Sequence, residues 1–472
     1  MLTVFLDSKS DKSLYEQLYF EIKRSIEEGY LKKNEKLPSK RKLAAYLKIS
    51  QTTVESAYSQ LLAEGYIMSK PKVGYFVTTD LELLYTKKHS RKDSVEIKKK
   101  EEYIVDFKTN QVDSSFFPFD KFARIEREVI LDKLKDNLNR GDIFGNYEFR
   151  KEIADVLLDY RGIIAKPEQI IVGSGSEHLI LLLVMLLGRD KVYAVEDPSY
   201  VKNYQLYNAY GVKIKAIGLD NEGVRIDLLN SCGVEIVHTT PSHQFPTGIV
   251  TPVKRRVELL NWASLKKGRF IIEDDYDSEF RFFGNPIPAM KGMDKFDRVI
   301  YMNSFSKTLA PGFRVSFMVL PEELVKVYHE RLDFFSSSVP IVNQLTLCEF
   351  LKSGEYEKHL NRMKINYKAK RDYLIEKLSS CDFKEKIKIY GEEAGLHFLV
   401  DVITKRSEVY LVEKAKSEGL RVYGLSEYYI NKCDFSDVKT IVFGYSNLNF
   451  EKIDLGVDLL NEAWKNIWIF LF

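Results

Sequence analysis

Residues 81–104, reading LELLYTKKHSRKDSVEIKKKEEYI, cut this chain in two. They are charge-dense, poor in apolar residues and without helical periodicity, so they read as an exposed linker rather than part of a core. The apolar pattern changes across them, which excludes one continuous domain. At roughly 100–200 residues per domain, a length of 472 residues suits two to four. The composition, 45% hydrophobic and 29% charged, suits packed domains and excludes disorder. The longest purely apolar run is residues 179–187, too short for a bilayer and long enough for a buried helix. The start, MLTVFLDSKSDK, has no basic stretch leading into an apolar one, so no secretory signal is expected. Cys232, Cys348, Cys381 and Cys433 are scattered with no CxxC pair. That argues against a disulfide framework or structural zinc, and for a reducing cytoplasm. The apolar tail WKNIWIFLF is expected to pack as a last helix or a partner contact.

Net charge is only +3, but it is unevenly spread. Residues 1–80 carry 13 Lys/Arg against 10 Asp/Glu, and residues 81–104 carry 7 against 5, so the surplus lies in the first quarter. Within that quarter, Leu14, Leu18, Ile22 and Ile26 recur every four residues, an amphipathic helix stopped by Gly29. Ser39 is an N-cap candidate for a short helix ending near Leu47, and Ser50 for another stopped by Gly65. YIMSKPKVGYFV then reads as two short strands about a turn. Helix, helix, tight turn, helix and hairpin make a winged helix-turn-helix over residues 10–79.

In such a motif the second helix of the pair enters the major groove with its N-terminal residues at base edges. Those residues are Gln51, Thr52 and Thr53; Gln can read adenine, and Thr a thymine methyl or a phosphate. Ser39, Lys40 and Arg41 open the preceding helix, where amides and cations favour phosphate. Lys70 and Lys72 flank the wing tip. Any one of these lysines alone reads as a solvated surface charge; the assembled pattern points to double-stranded DNA.

Residues 105–472 alternate strand and helix patterns, as a mostly parallel α/β sheet does. Apolar strands such as KVYAVEDP, VEIVHTTP, RFIIEDDY and DRVIYMNSFS end in polar clusters, where ligands bind such sheets. The strongest chemical signal is SFSKTLAPGFR at 304–314. A lysine there can form a Schiff base with an aldehyde cofactor, and the hydroxyls with Arg314 can hold a phosphate dianion. Upstream, EDDYDSEF offers Asp274 for a pyridinium nitrogen and Tyr276 for a phenolic oxygen. GSGSEH, EDPSY and PSHQFPTG sit at three further strand ends.

The first stretch resembles the GntR-type winged helix, following LPS-x-R-x-LA-x-x-L-x-[VI]-S-R-x-TV-x-x-AY-x-x-L-x-x-EGY, with Gln51 where that family usually has Arg. The second resembles the fold-type I aminotransferases, which use pyridoxal 5′-phosphate (PLP). Their fusion resembles the MocR subfamily of bacterial regulators. The implied fold is α/β: a winged helix, then a three-layer aminotransferase-like domain with a small C-terminal α+β subdomain. The domains would be 10–79, a linker at 80–104, and 105–472. By resemblance Lys307 would hold PLP covalently, Asp274 the pyridine nitrogen and Tyr276 the ring oxygen, with Tyr200 stacked on the ring. Ser176, Glu177 (through its backbone), Ser304, Ser306 and Arg314 would hold the phosphate. His243 and Gln244 lie in the loop that supplies an Asn beside the ring oxygen, and Phe245 occupies that Asn position. Ser316 stands where the family often has Gly. The implied assembly is a head-to-tail, domain-swapped homodimer on paired half-sites, with no membrane partner.

Aminotransferases and amino-acid-sensing relatives hold a substrate carboxylate with an Arg late in the chain, because a guanidinium binds it bidentately. The corresponding strand here is TIVFGYSN, and the aligned residue is Val442. Arg421 is placed on the preceding strand, and Lys202 can meet an anion only as a point charge. The expectation is therefore a non-enzymatic, PdxR-like sensor of PLP itself controlling vitamin B6 synthesis. The alternatives are a γ-aminobutyrate-type sensor acting through an external aldimine, a genuine or half-reacting aminotransferase, and an inert scaffold.

Overall fold

The computed structural model describes residues 6–7, 12–78, 102–139, 141–284, 288–432, 438–465 and 467. Most of the linker expected at 80–104 and the end of the tail lie outside the described residues. The chain separates into two compact units, residues 1–100 and 101–472.

In the first unit, α1 spans Leu14–Glu27, α2 Lys40–Leu47 and α3 Gln51–Ala63. Two strands follow, β1 (Ile67–Lys70) and β2 (Gly74–Val77), paired antiparallel with Ile67 opposite Val77. Each helix starts where a serine can satisfy its unpaired amides. Ser13 and Glu16 form a capping box on α1, with the Ser13 amide donating to Glu16 Oε2 at 2.9 Å. Ser39 Oγ accepts from the Lys42 amide at 3.3 Å, and Ser50 Oγ from the Thr53 amide at 3.0 Å. The four-residue spacing of α1 puts Leu18, Ile22 and Ile26 inside, against Leu43, Val54, Tyr58 and Leu61. Leu14 is only half-buried, because the first turn overhangs that core.

The second unit is built on β3 (Val105–Asp106), β4 (Ile170–Gly173), β5 (Val192–Asp197), β6 (Lys213–Asp220), β7 (Gly223–Val224), β8 (Ile236–Thr239), β9 (Phe270–Asp274), β10 (Val299–Ser304) and β11 (Ser316–Val319). Eight of these form one sheet, in the order β4-β11-β10-β9-β8-β5-β6-β7. The run β10-β9-β8-β5-β6 is parallel throughout; β11 is antiparallel to both its neighbours and β7 to β6. The inner parallel strands β5, β8, β9 and β10 are buried nearly throughout, as parallel sheets require, whereas β6 towards the edge exposes Lys213 and Lys215. The helix Ser176–Leu187 contains the nine-residue apolar run and is buried on most of its surface.

A smaller antiparallel sheet follows, made of β12 (Ile387–Tyr390), β13 (His397–Val402), β15 (Tyr423–Gly424) and β16 (Thr440–Gly444). Between β13 and β15, β14 (Leu420–Arg421) pairs parallel with β3. The Ile104 amide donates to Gly419 O at 2.8 Å, which ties the backbone to the second unit at that residue. Trp464 and Ile467, from the apolar tail segment, are buried in the core of this subdomain. Among the described residues no helix is long and apolar enough to cross a membrane.

Candidate functional site

The carboxyl ends of β5, β8, β9 and β10 converge on one cleft, the place where parallel α/β sheets bind ligands. It encloses about 220 Å³, room for one substituted ring. Its lining includes Ser176, Glu177, Tyr200, Asp274, Tyr276, Ser304, Ser306, Lys307 and Arg314, so nine of the expected site residues meet in one cavity. His243 does not line it. Its imidazole is 2% exposed and lies behind Tyr276, with Nδ1 3.1 Å from the tyrosine oxygen and 2.9 Å from Asp277 Oδ2. The expected contact of His243 with a ligand is thus not among the cleft's lining contacts: Phe245 lines the cleft, and His243 packs behind Tyr276. Gln244 is also buried, its amide donating to the carbonyls of Pro198 at 2.9 Å and Phe245 at 2.7 Å.

At one end of the cleft, Ser176 opens the helix Ser176–Leu187, whose first amides and dipole favour an anion. Gly175 precedes it at φ +92°, and a Cβ there would lie 2.3 Å from Arg314 Nη2. Ser316 Oγ donates to Ser304 Oγ at 2.8 Å, and Ser304 Oγ to Ser306 Oγ at 2.8 Å. That chain leaves the Ser306 proton for an acceptor in the cleft. Arg314, in left-handed backbone at φ +52°, contacts the Glu177 carboxylate, which also meets Lys202. The Glu177 side chain thus occupies the cations an incoming anion would need.

At the other end, Lys307 Nζ donates to Asn110 O at 2.8 Å. Burial pushes its pKa down to about 8, against the pull of Asp277 and Asp274. On the order of a tenth of it is then unprotonated at neutral pH, enough for a nucleophilic amine. Asp274 Oδ2 lies 3.2 Å from His238 Nε2, and His238 Nδ1 lies 2.9 Å from the Tyr207 hydroxyl. Burial raises the Tyr207 pKa well above its usual value, so Tyr207 keeps its proton and donates. With Nδ1 accepting, the single proton of the neutral imidazole sits on Nε2, facing Asp274, and orients its carboxylate. Tyr276 is likewise held neutral by burial. Tyr200 is 41% exposed beside the cleft, its ring perpendicular to that of Phe245 at 5.9 Å.

Asn110, His238 and Tyr207 were not anticipated from sequence. His238 carried the one available signal, a lone histidine in the apolar strand next to the Asp274 strand. Val442 is fully buried in β16, opposite Leu399 and Tyr423. Arg421 turns to Glu427 at 2.9 Å and over the Tyr423 ring at 4.6 Å. The only guanidinium lining the cleft, among the described residues, is that of Arg314.

In the first unit, Gln51, Thr52 and Arg41 are exposed, and Thr53 is half-buried. The hydroxyls of Thr52 and Thr53 each lie 2.7 Å from Ser50 Oγ, so the cap engages them. Lys40, expected near a phosphate, pairs with Glu55 and lies 5.6 Å from the Tyr75 ring centroid. Lys70 sits over the Phe76 ring at 4.8 Å, and Lys72 forms the wing turn at φ +60°.

Residues 14–77 match the family described as bacterial regulatory proteins, gntR family, and residues 102–433 match aminotransferase class I and II. The HTH-type transcriptional regulator YdeL of Bacillus subtilis (strain 168) is 39% identical over 466 residues, 98% of this chain and 99% of that one. The probable rhizopine catabolism regulatory protein MocR of Rhizobium meliloti is 27% identical, covering 97% of this chain and 95% of its own. This chain belongs to the MocR subfamily of GntR-type transcriptional regulators. Another relative of this MocR-type regulator is the pyridoxine biosynthesis transcriptional regulator PdxR of Corynebacterium glutamicum, 27% identical over 91% of each chain. Among solved structures, the kynurenine aminotransferase of Pyrococcus horikoshii superposes with a TM-score of 0.67 at 26% identity, covering 82% of this chain and 98% of that one. The chain is thus a transcriptional regulator with an aminotransferase-like domain, of a fold that typically uses PLP.

Proposed function

We propose that this regulator binds PLP in the cleft and senses PLP itself, changing its grip on double-stranded DNA when the cleft fills. When bound, PLP supplies an aldehyde that condenses with a primary amine and a ring that withdraws electrons. The residues present fit it. Lys307 offers a buried amine with a lowered pKa, and Asp274 a carboxylate oriented by His238 for a ring-nitrogen proton. Tyr276 offers a neutral phenol for the ring oxygen, and Tyr200 an exposed ring to stack. Ser176, Ser304, Ser306, Arg314 and the Glu177 amide would hold the phosphate. Glu177 itself supports this reading, since its carboxylate already takes the anion's place between Arg314 and Lys202.

The observation that favours PLP over an amino acid as the signal is at Val442. A buried valine stands where a carboxylate-binding guanidinium would be needed, and Arg421 is turned onto Glu427. A ligand switches a protein only by binding one conformer better than another. With little to hold an α-carboxylate, the differential contact must come from PLP. The PdxR relative, whose name ties it to pyridoxine biosynthesis, points the same way. The working form would be a cytoplasmic homodimer reading paired half-sites, through Gln51 and Thr52 at base edges and Arg41 and Lys72 on phosphates.

The test is a DNA-binding titration of the apo protein on its own upstream region at fixed salt. PLP is added first, then PLP with γ-aminobutyrate or other amines. PLP alone is expected to change affinity or footprint. A response only to the added amine would make PLP a fixed cofactor and overturn the reading.

A further inference from the structure

Of the two side chains expected at the cofactor's ring oxygen, only Tyr276 can donate a hydrogen bond, because Phe245 fills the position of the Asn. What controls the Tyr276 proton therefore matters more here than where two donors share the task. We propose that His243 and Asp277 are positioning residues for Tyr276, fixing its hydroxyl proton toward the cleft. This rests on the PLP reading above.

The argument starts from proton counting. His243 Nδ1 lies 2.9 Å from Asp277 Oδ2 and 3.1 Å from the Tyr276 oxygen. A carboxylate only accepts, whereas one imidazole nitrogen either donates or accepts. Asp277 therefore requires the proton on Nδ1. With its proton there, Nδ1 cannot accept from Tyr276; Asp277, which also lies within reach of the phenol, is engaged by that proton, so the Tyr276 O–H is freed for an oxygen in the cleft. The other tautomer would set a nitrogen lone pair against Asp277 Oδ2 at 2.9 Å. It would also draw the Tyr276 proton back onto Nδ1, away from the cleft.

The surroundings hold this pair in place. His243 and Asp277 are each 2% exposed. Gly395 roofs them at φ +76°, and a Cβ there would lie 2.0 Å from His243 Cε1 and 2.6 Å from Asp277 Oδ2. His397, its ring centroid 5.0 Å from that of His243, makes a hydrogen bond from Nε2 to Pro246 O at 2.9 Å. Burial, with His243 beside it, pushes its pKa down to about 3, so it adds no charge near neutrality. The other titratable groups facing Tyr276 and the pair are Asp274, Glu196, Lys307 and Tyr445. Asp277 also reaches the Tyr276 phenol directly, and His243 is the side chain that engages both of them.

The signs separate this proposal from a plain charge effect. A donor on the ring oxygen stabilises its negative charge, which is fullest once the lysine nitrogen of the loaded protein has lost its proton. Tyr276 therefore lowers the pH at which that nitrogen titrates, and losing the donor raises it. Through space alone, removing the Asp277 charge does the opposite, because the protonated nitrogen loses an attractive neighbour.

The experiment is a pH titration of the visible absorbance of the full-length, PLP-loaded protein. His243→Ala and Asp277→Ala are each expected to raise the midpoint by about one unit, the size of a hydrogen bond to a charged group. Asp277→Asn keeps an acceptor oxygen and should move it less. In a Tyr276→Phe background, His243→Ala should add nothing. An unchanged midpoint for His243→Ala, a downward shift for Asp277→Ala, or additivity with Tyr276→Phe would each overturn the proposal. His243→Phe keeps the ring volume without a nitrogen and gives the same test should the alanine variant fail to fold. If the wild type and Lys307→Ala give the same spectrum after PLP addition, the PLP reading itself is wrong and this proposal falls with it.

Discussion

At the start of α3, Gln51, Thr52 and Thr53 stand on a single helical turn, and their support is local: Ser50 caps the helix and engages both threonine hydroxyls. In the cleft, Asp274 and Tyr276 come from the end of β9 and Lys307 from beyond the end of β10, and each leans on a residue far away in sequence, His238, His243 and Asn110 respectively. The first region can adapt to its partner, since exposed side chains on a rigid helix lose little by moving. The second is built in advance, because buried polar groups left unpaired are costly. Substitutions should therefore act gradually in the first and abruptly in the second.

The sharpest break should be Lys307→Ala, which is expected to abolish the lysine-dependent visible absorbance of the PLP-treated protein while circular dichroism stays native. A persisting band would remove Lys307 from the chemistry. Next, Arg41→Ala should weaken operator binding about tenfold and lower the slope of log affinity against log salt by about one. Lys40→Ala, already committed to Glu55, should change that slope less; equal slopes would erase the distinction between the two cations. Ser50→Ala should cost the first unit about 1 kcal/mol, read by thermal melting of the full chain. Glu177→Gln should tighten PLP binding a few-fold by freeing Arg314 and Lys202, a modest effect because all three are partly solvated.

A further effect concerns pH. The folded pKa of Lys307, pushed down to about 8, lies below that of an unfolded lysine near 10.5. Between these values the unfolded apo chain binds more protons, so folded stability rises with pH through that window. Lys307→Ala should remove this slope. Apo wild type should therefore gain stability relative to the variant between about pH 7.5 and 9.5, read by thermal melting, and the absence of that relative gain would contradict the burial of Lys307.

The winged helix was legible because its determinants are short-range: caps at Ser39 and Ser50, stops at Gly29 and Gly65, a four-residue apolar period. The α/β class was legible from apolar strands ending in polar clusters. Strand order was not, since nothing local tells β11 to run antiparallel between β4 and β10. Nine residues expected at the cofactor do line one cleft, because strand ends are where such sheets gather side chains. The burial of His243 behind Tyr276 was not legible, for a physical reason. Membership of a loop says nothing about which side of Tyr276 a residue packs on. Lys40 was read by its charge alone, and its partner Glu55 lies one helix away.

The short ladder between β3 and β14 has a mechanical side. Residues 104–107 are fastened to Gly419 and Arg421 through backbone hydrogen bonds, and the Phe107 carbonyl accepts from the Gly444 amide at 2.9 Å. Tension entering the chain just before Ile104 would load these bonds first, in shear, and so reach the small subdomain before the eight-stranded sheet. Three residues further on, Asn110 holds Lys307. The cleft lysine and the point where the chain takes up strain are thus separated by a few covalently joined residues, short enough for a displacement at one to be felt as slack or tautness at the other.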